Sequence, residues 1–124
     1  MTLRVLAVDD SLTIREMLKS CLVSAGCEVE LAEDGVDGLD RLAAVRPDVI
    51  ITDINMPRMD GFGLIEAVRG GDSHKSVPIL VLTTESADEL KQRAREAGAT
   101  GWIVKPFDDE RLISAIRRVA AYQA

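Results

Sequence analysis

Short apolar runs and longer amphipathic stretches alternate along this chain. The runs are Arg4–Val8, Glu28–Ala32, Val49–Thr52, Ile79–Thr83 and Gly101–Val104. Several are apolar almost throughout, such as "VIIT" and "PILVLT", the pattern of strands buried on both faces of a parallel sheet. In the stretches between and after them, apolar residues recur every three or four positions. That periodicity predicts helices over Leu12–Ala25, Gly35–Val45, Phe62–Arg69, Asp88–Ala97 and Asp109–Tyr122. In the first of these Ile14, Met17, Leu18, Cys21, Leu22 and Ala25 fall in phase; in the last Leu112, Ile113, Ile116, Val119 and Ala120 do. Gly26 follows the first helix, Pro47 closes the second and Gly98 stands where the fourth wants a left-handed cap. Pro78 opens a strand, where a missing N–H is tolerated. The expectation is an α/β fold, (βα)5, with right-handed crossovers giving a doubly wound parallel five-stranded sheet covered by helices on both sides.

The 124 residues make one domain with no linker, repeat or low-complexity stretch. A net charge of −6 with no basic cluster works against nucleic-acid binding. No apolar run approaches the length of a membrane span, and "MTLRVLAVDD" is too quickly acidic for a signal peptide. The expected location is therefore cytoplasmic, without membrane insertion. Cys21 and Cys27 fit neither a redox nor a zinc spacing and read as reduced structural thiols. His74 stands alone in "GGDSHKS" and reads as a solvated loop residue.

The chemistry collects where the strands end, the place where doubly wound sheets bind ligands. After the first strand come Asp9 and Asp10; after the third, Asp53, Ile54, Asn55, Met56 and Pro57; after the fourth, Thr83 and Thr84; after the fifth, Lys105 and Pro106. After the second come only Glu33 and Asp34, which open a helix. In a flavodoxin-like strand order, 2-1-3-4-5, the first, third, fourth and fifth ends adjoin and pool three carboxylates, a hydroxyl and an ammonium. Three close carboxylates stay ionised cheaply only when a cation joins them, and an all-oxygen set suits Mg²⁺ or Mn²⁺ better than zinc. Asp53 is then a carboxylate nucleophile beside an electrophilic centre, and Lys105, Thr83 and the metal are groups that neutralise a transferring phosphoryl. Each piece alone has an ordinary explanation: "DD" as a helix cap, Thr83 as a strand end, Lys105 as a solvated charge, "KPF" as a turn. Their order over successive strand ends carries the inference.

The chain resembles the receiver domains of two-component response regulators, and among them the stand-alone chemotaxis type, CheY. The resemblance covers essentially the whole chain and rests on "VDDS" at Val8–Ser11, "DINMPRMDGFGL" at Asp53–Leu64, "LTTE" at Leu82–Glu85 and "VKPF" at Val104–Phe107. The order 2-1-3-4-5 is itself taken from that family rather than read from the pattern. The resemblance implies that Asp53 is the phosphoacceptor. Asp10, Asp53 and the Asn55 backbone carbonyl would ligate Mg²⁺, with Asp9 acting mainly through a water. Thr83 and Lys105 would contact phosphoryl oxygens, and Lys105–Pro106 would be a cis peptide. Thr83 and Trp102 would form the activation switch, Trp102 standing where the family more often has Tyr or Phe. Asn55, Thr84 and Glu85 would tune the lifetime of the phosphorylated state, Thr84 being bulkier than the residue many members carry there. Lys91, Arg95, Trp102 and Val104 would face the partner surface.

The function expected from this is a phosphorylation-switched signalling module of a chemotactic pathway, one receiver domain over residues 1–124 with no output domain. It would be a stoichiometric phosphoacceptor, with self-catalysed phosphorylation and dephosphorylation, rather than an enzyme. A histidine kinase of the CheA kind would donate the phosphoryl group, a phosphatase would be a further partner, and the monomer would dock the flagellar motor switch or another target. A phosphate sink in the same pathway fits the sequence equally. A Mg²⁺-dependent aspartyl-phosphate phosphohydrolase fits less well, because "DIN" replaces the usual DxDxT and no cap segment is present. An FMN carrier is disfavoured by the acidic "VDDSLT" where a Ser/Thr/Gly-rich phosphate loop belongs.

Overall fold

The computed structural model describes residues 2–121. Strands β1 (Arg4–Val8), β2 (Glu28–Ala32), β3 (Val49–Thr52), β4 (Ile79–Thr83) and β5 (Gly101–Val104) alternate with helices α1 (Leu12–Ser24), α2 (Gly35–Val45), α3 (Gly61–Gly70), α4 (Asp88–Ala97) and α5 (Asp109–Ala121). All strands are parallel in one sheet of order β2-β1-β3-β4-β5, the flavodoxin-like order. The strands coincide with the apolar runs. The helices differ only at their ends, and local hydrogen bonding explains where. Ala25 is the cap of α1 rather than its last turn, its N–H reaching back to the carbonyls of Cys21 and Leu22 while Gly26 N donates to Val23 O. Helix α3 starts one residue earlier than the periodicity implies, because the Asp60 side chain accepts from Gly63 N and caps it. The predicted last residue of α5, Tyr122, lies outside the described residues.

Alternation along the strands explains why both faces carry helices. Val5, Ala7, Val49, Ile51, Leu80 and Leu82 point to one side, where Leu18, Cys21 and Leu22 of α1 and Leu112, Ile116 and Val119 of α5 meet them. Leu6, Val8, Ile50, Ile79 and Val81 point to the other, against Leu42 of α2, Phe62, Leu64, Ile65 and Val68 of α3 and Ala94 of α4. Each side chain such as Leu112 or Ile50, fully buried here, is worth about 2–5 kcal/mol on truncation to alanine. Met17 departs from its in-phase neighbours: it is 48% exposed, on the flank of α1 rather than its buried stripe. His74 is half-buried in the α3–β4 connection rather than fully solvated. Both cysteines are free, and burial pushes the Cys21 thiol up to about 11. No described helix is long and apolar enough to cross a membrane.

Candidate functional site

Register places the ends of β1, β3, β4 and β5 side by side, with Val8 opposite Thr52 and Thr83 opposite Val104. The next residues therefore converge. The Lys105 ammonium stands 2.7 Å from Asp9 Oδ2 and 2.8 Å from Asp53 Oδ2, almost enclosed between them. Burial alone would lower the Lys105 pKa, but the bonds to Asp53 and Asp9 raise it above the usual lysine value. Burial raises the Asp9 carboxyl above its ordinary range, against the opposing pull of Lys105 and of the Ser11 N–H. That N–H donates to Asp9 Oδ1 at 2.9 Å. Both Asp9 oxygens are thus engaged, whereas the neighbouring Asp10 is exposed.

Asp53 is fixed at its other oxygen by the Ile54 N–H, 2.6 Å from Oδ1. The β3–α3 loop then turns and closes on itself: Gly61 N donates to Ile54 O at 2.9 Å. A Cβ on Gly61 would overlap the Asp53 carbonyl oxygen and meet Ile54 Cα at 2.9 Å. Only glycine lets α3 start this close to the Asp53 backbone. Asn55 lies in this loop and is exposed. Lys105 is presented by a turn whose Lys105–Pro106 peptide is cis, as the motif implied, and its own N–H donates to Thr83 O at 2.8 Å.

Behind the cleft, Thr83 is fully buried. Its Oγ1 accepts, at 3.4 Å, from Glu85 N, while Glu85 O accepts from the Trp102 indole N–H at 3.0 Å. Trp102 is half-buried and packs against the core cluster that includes Ala94 of α4. The two residues expected to form the switch are therefore joined through one residue, Glu85. Thr84 is exposed, as are Arg95 and Val104, and Lys91 is half-buried.

Two contacts escaped the sequence reading. Arg15, on the second turn of α1, donates from Nη1 to Asp9 O at 2.6 Å and so pins the β1–α1 loop. Arg58, at the apex of the β3–α3 loop, forms two bonds to Asp34, of 2.7 and 3.1 Å. Neither leaves a periodic signal. Arg58 follows "NMP", a segment without helical or strand pattern, and Asp34 reads simply as a helix cap, which it also is.

Asp9, Asp10 and Asp53 can each aim one carboxylate oxygen into a space where these atoms lie within 4.8 Å of one another. The donor set is all oxygen and partly open to water, which fits a hard divalent cation of the Mg²⁺ type. A lysine ammonium already placed between two of the acids shows that the cluster is built to be balanced by positive charge.

A family model described as the response regulator receiver domain matches residues 5–117. Response regulator MprA of Mycobacterium tuberculosis is 42% identical over 118 residues, 94% of this chain but 50% of MprA, so the chain spans about half the length of that relative. Protein PilG of Pseudomonas aeruginosa is 36% identical over 115 residues, covering 93% of this chain and 85% of PilG. Among solved structures, chemotaxis protein CheY4 of Vibrio cholerae superposes with a TM-score of 0.91 at 50% identity, over 96% of this chain and 99% of that one. The receiver domain of a Pseudomonas aeruginosa sensor histidine kinase, with a magnesium ion coordinated in its active site cleft, superposes with a TM-score of 0.90 at 25% identity, over 98% of this chain and 99% of that one. Sheet order, strand-end residues and these likenesses agree that this chain belongs to the response regulator receiver domain family.

Proposed function

We propose that Asp53 accepts a phosphoryl group from a histidine kinase, of the kind that phosphorylates receiver domains, and that the phosphorylated chain signals by docking a protein target. The observation that carries this is the Lys105 ammonium held between Asp9 and Asp53 at the pooled strand ends. In the transfer, the bond from phosphorus to a kinase imidazole nitrogen breaks as one forms to an Asp53 oxygen, and the imidazole nitrogen is released. The Ile54 N–H fixes one Asp53 oxygen and thereby orients the other. Lys105 stands where charge accumulates on the transferring oxygens, and preorganised charge of this kind supplies most of the catalysis in phosphoryl transfer. Asp9, Asp10, Asp53 and the Asn55 carbonyl would hold Mg²⁺, which neutralises phosphoryl oxygens when bound.

Thr83 and Trp102 act as the switch in this reading. If the Thr83 hydroxyl turns toward a phosphoryl oxygen, it leaves the Glu85 N–H, and Glu85 carries the change to the indole it bonds. Asn55, Thr84 and Glu85 border the site and set how readily water reaches the phosphoryl group. Lys91, Arg95, Trp102 and Val104 offer the docking face. The likeness to chemotaxis protein CheY4 supports a chemotaxis-type pathway, with residues 1–124 as one receiver unit in the cytoplasm and a motor switch protein as the natural target. The test is transfer of labelled phosphoryl from a CheA-type kinase, followed by pull-down of purified motor switch protein. Label on wild type, absent in Asp53→Asn, with capture only of the labelled form, is the expected result. Equal labelling of both proteins removes Asp53 from the role, and capture indifferent to phosphorylation removes the docking output.

A further inference from the structure

The β3–α3 loop carries Asn55, whose carbonyl the proposed metal site needs, yet Asn55 itself is exposed and the loop has no strand or helix to hold it. Its base is closed by the bond from Gly61 N to Ile54 O. Its apex is held from outside. Arg58 has a φ of 63°, the left-handed region that a residue with a Cβ seldom occupies. In that conformation its guanidinium reaches Asp34 with Nε at 2.7 Å from Oδ2 and Nη2 at 3.1 Å from Oδ1. The Asp34 side chain is only 4% exposed and also caps α2 by accepting from Asp37 N at 2.9 Å. It is therefore a rigid anchor rather than a mobile surface acid, and a two-pronged guanidinium–carboxylate pair fixes direction as well as distance. A second stitch runs beside the first. Gly35 N donates to Met59 O at 3.1 Å, and a Cβ on Gly35 would come within 2.7 Å of Met59. The β2–α2 loop, which contributes nothing to the cleft directly, is thus built closely against residues 58–59.

We propose that Arg58 is a positioning residue: its forked pair with Asp34 sets the backbone of the β3–α3 loop so that the Asn55 carbonyl completes the divalent-cation site beside Asp53. This rests on the proposed function, whose metal site it deepens, and gives the second strand's end a part in the chemistry. A merely structural pair would stabilise the fold and leave cation affinity untouched. Partners that orient ligands from outside the coordination shell typically change metal affinity by about 10–100-fold when removed.

The experiment is calorimetric titration of the full chain with Mg²⁺ alone, combined with melting curves taken without metal. Arg58→Gly is the informative variant, because glycine accepts the left-handed backbone while losing the fork; Arg58→Lys keeps the charge without the fork, and Asp34→Asn tests the anchor. The expected result is a Mg²⁺ Kd weakened about tenfold in Arg58→Gly, weakened in Arg58→Lys and in Asp34→Asn, and no weaker in the variant combining Arg58→Gly with Asp34→Asn than in the poorer of those two singles. Phosphorylation from acetyl phosphate should need more Mg²⁺ but reach the wild-type rate at saturation. A wild-type Kd in a folded Arg58→Gly or Arg58→Lys, whatever happens to the melting temperature, overturns the proposal. A wild-type chain that takes up neither Mg²⁺ nor a phosphoryl group overturns it together with the functional reading beneath it.

Discussion

Lys105, Asp34 and Trp102 show how much individual side chains depend on partners far away in the chain. Lys105 draws its charge stability from Asp9 and Asp53. Asp34 is held below the usual carboxylate range first by its bond to Arg58 and then by the Asp37 N–H. A carboxyl with a lowered native pKa adds stability above its unfolded value, near 3.8, and loses it as pH falls through the native value. The stability difference between wild type and Asp34→Asn should therefore be constant from pH 7 to about 5 and shrink below pH 4. Urea titrations across that range check this; a difference that widens in acid contradicts it. Trp102 is the only tryptophan, so its emission reports one place. With its indole N–H on Glu85 O and Glu85 N on Thr83, beryllofluoride with Mg²⁺ should change its emission and acrylamide quenching, while Mg²⁺ alone changes them less. The change should vanish in Asp53→Asn and weaken in Thr83→Ala. Identical quenching in every state would show that Trp102 does not switch.

At the level of elements, α3 is the one most tightly joined to the site. Its first residue, Gly61, abuts the Asp53 carbonyl, so Gly61→Ala must move either the helix or the strand end. Overpacking of this kind costs about 1–3 kcal/mol. Gly61→Ala should lose that much stability, melt lower and phosphorylate more slowly, whereas Gly70→Ala, with open space around its position, should do none of these. Equal behaviour of the two variants would count against the close approach. The elements themselves were legible because their signals are local: "VIIT" can hardly be anything but a buried strand, and the periodicity of α5 survives to Val119 and Ala120. Strand order was not local, and the family resemblance supplied it. Asp9, Asp53, Thr83 and Lys105 could be found in the sequence because strand ends in a parallel sheet share one edge. Arg58 and Arg15 could not, since their roles depend on backbone angles and on side chains reaching across loops, neither of which leaves a pattern of apolar and polar positions.

For the whole molecule, one charge cluster ties stability to ligand. Three carboxylates crowd one edge of a sheet whose two faces pack against apolar cores. A cation binding only the folded chain adds RT ln(1 + [L]/Kd), about 1.4 kcal/mol at tenfold over Kd. For a domain of this size that is roughly 5 °C in Tm. Mg²⁺ should raise the melting temperature accordingly, Asp10→Ala should abolish the rise, and an unchanged Tm in wild type would contradict a metal site. The central claim is that Asp53 takes the phosphoryl group, and it is tested most directly by intact-mass measurement after incubation with acetyl phosphate and Mg²⁺. Wild type should gain the mass of one phosphoryl group, on the peptide containing Asp53; Asp53→Asn should gain none, and chelating the Mg²⁺ should suppress the gain in wild type. A phosphoryl group found on another residue, or an Asp53→Asn protein that gains it at the wild-type rate, would contradict the account.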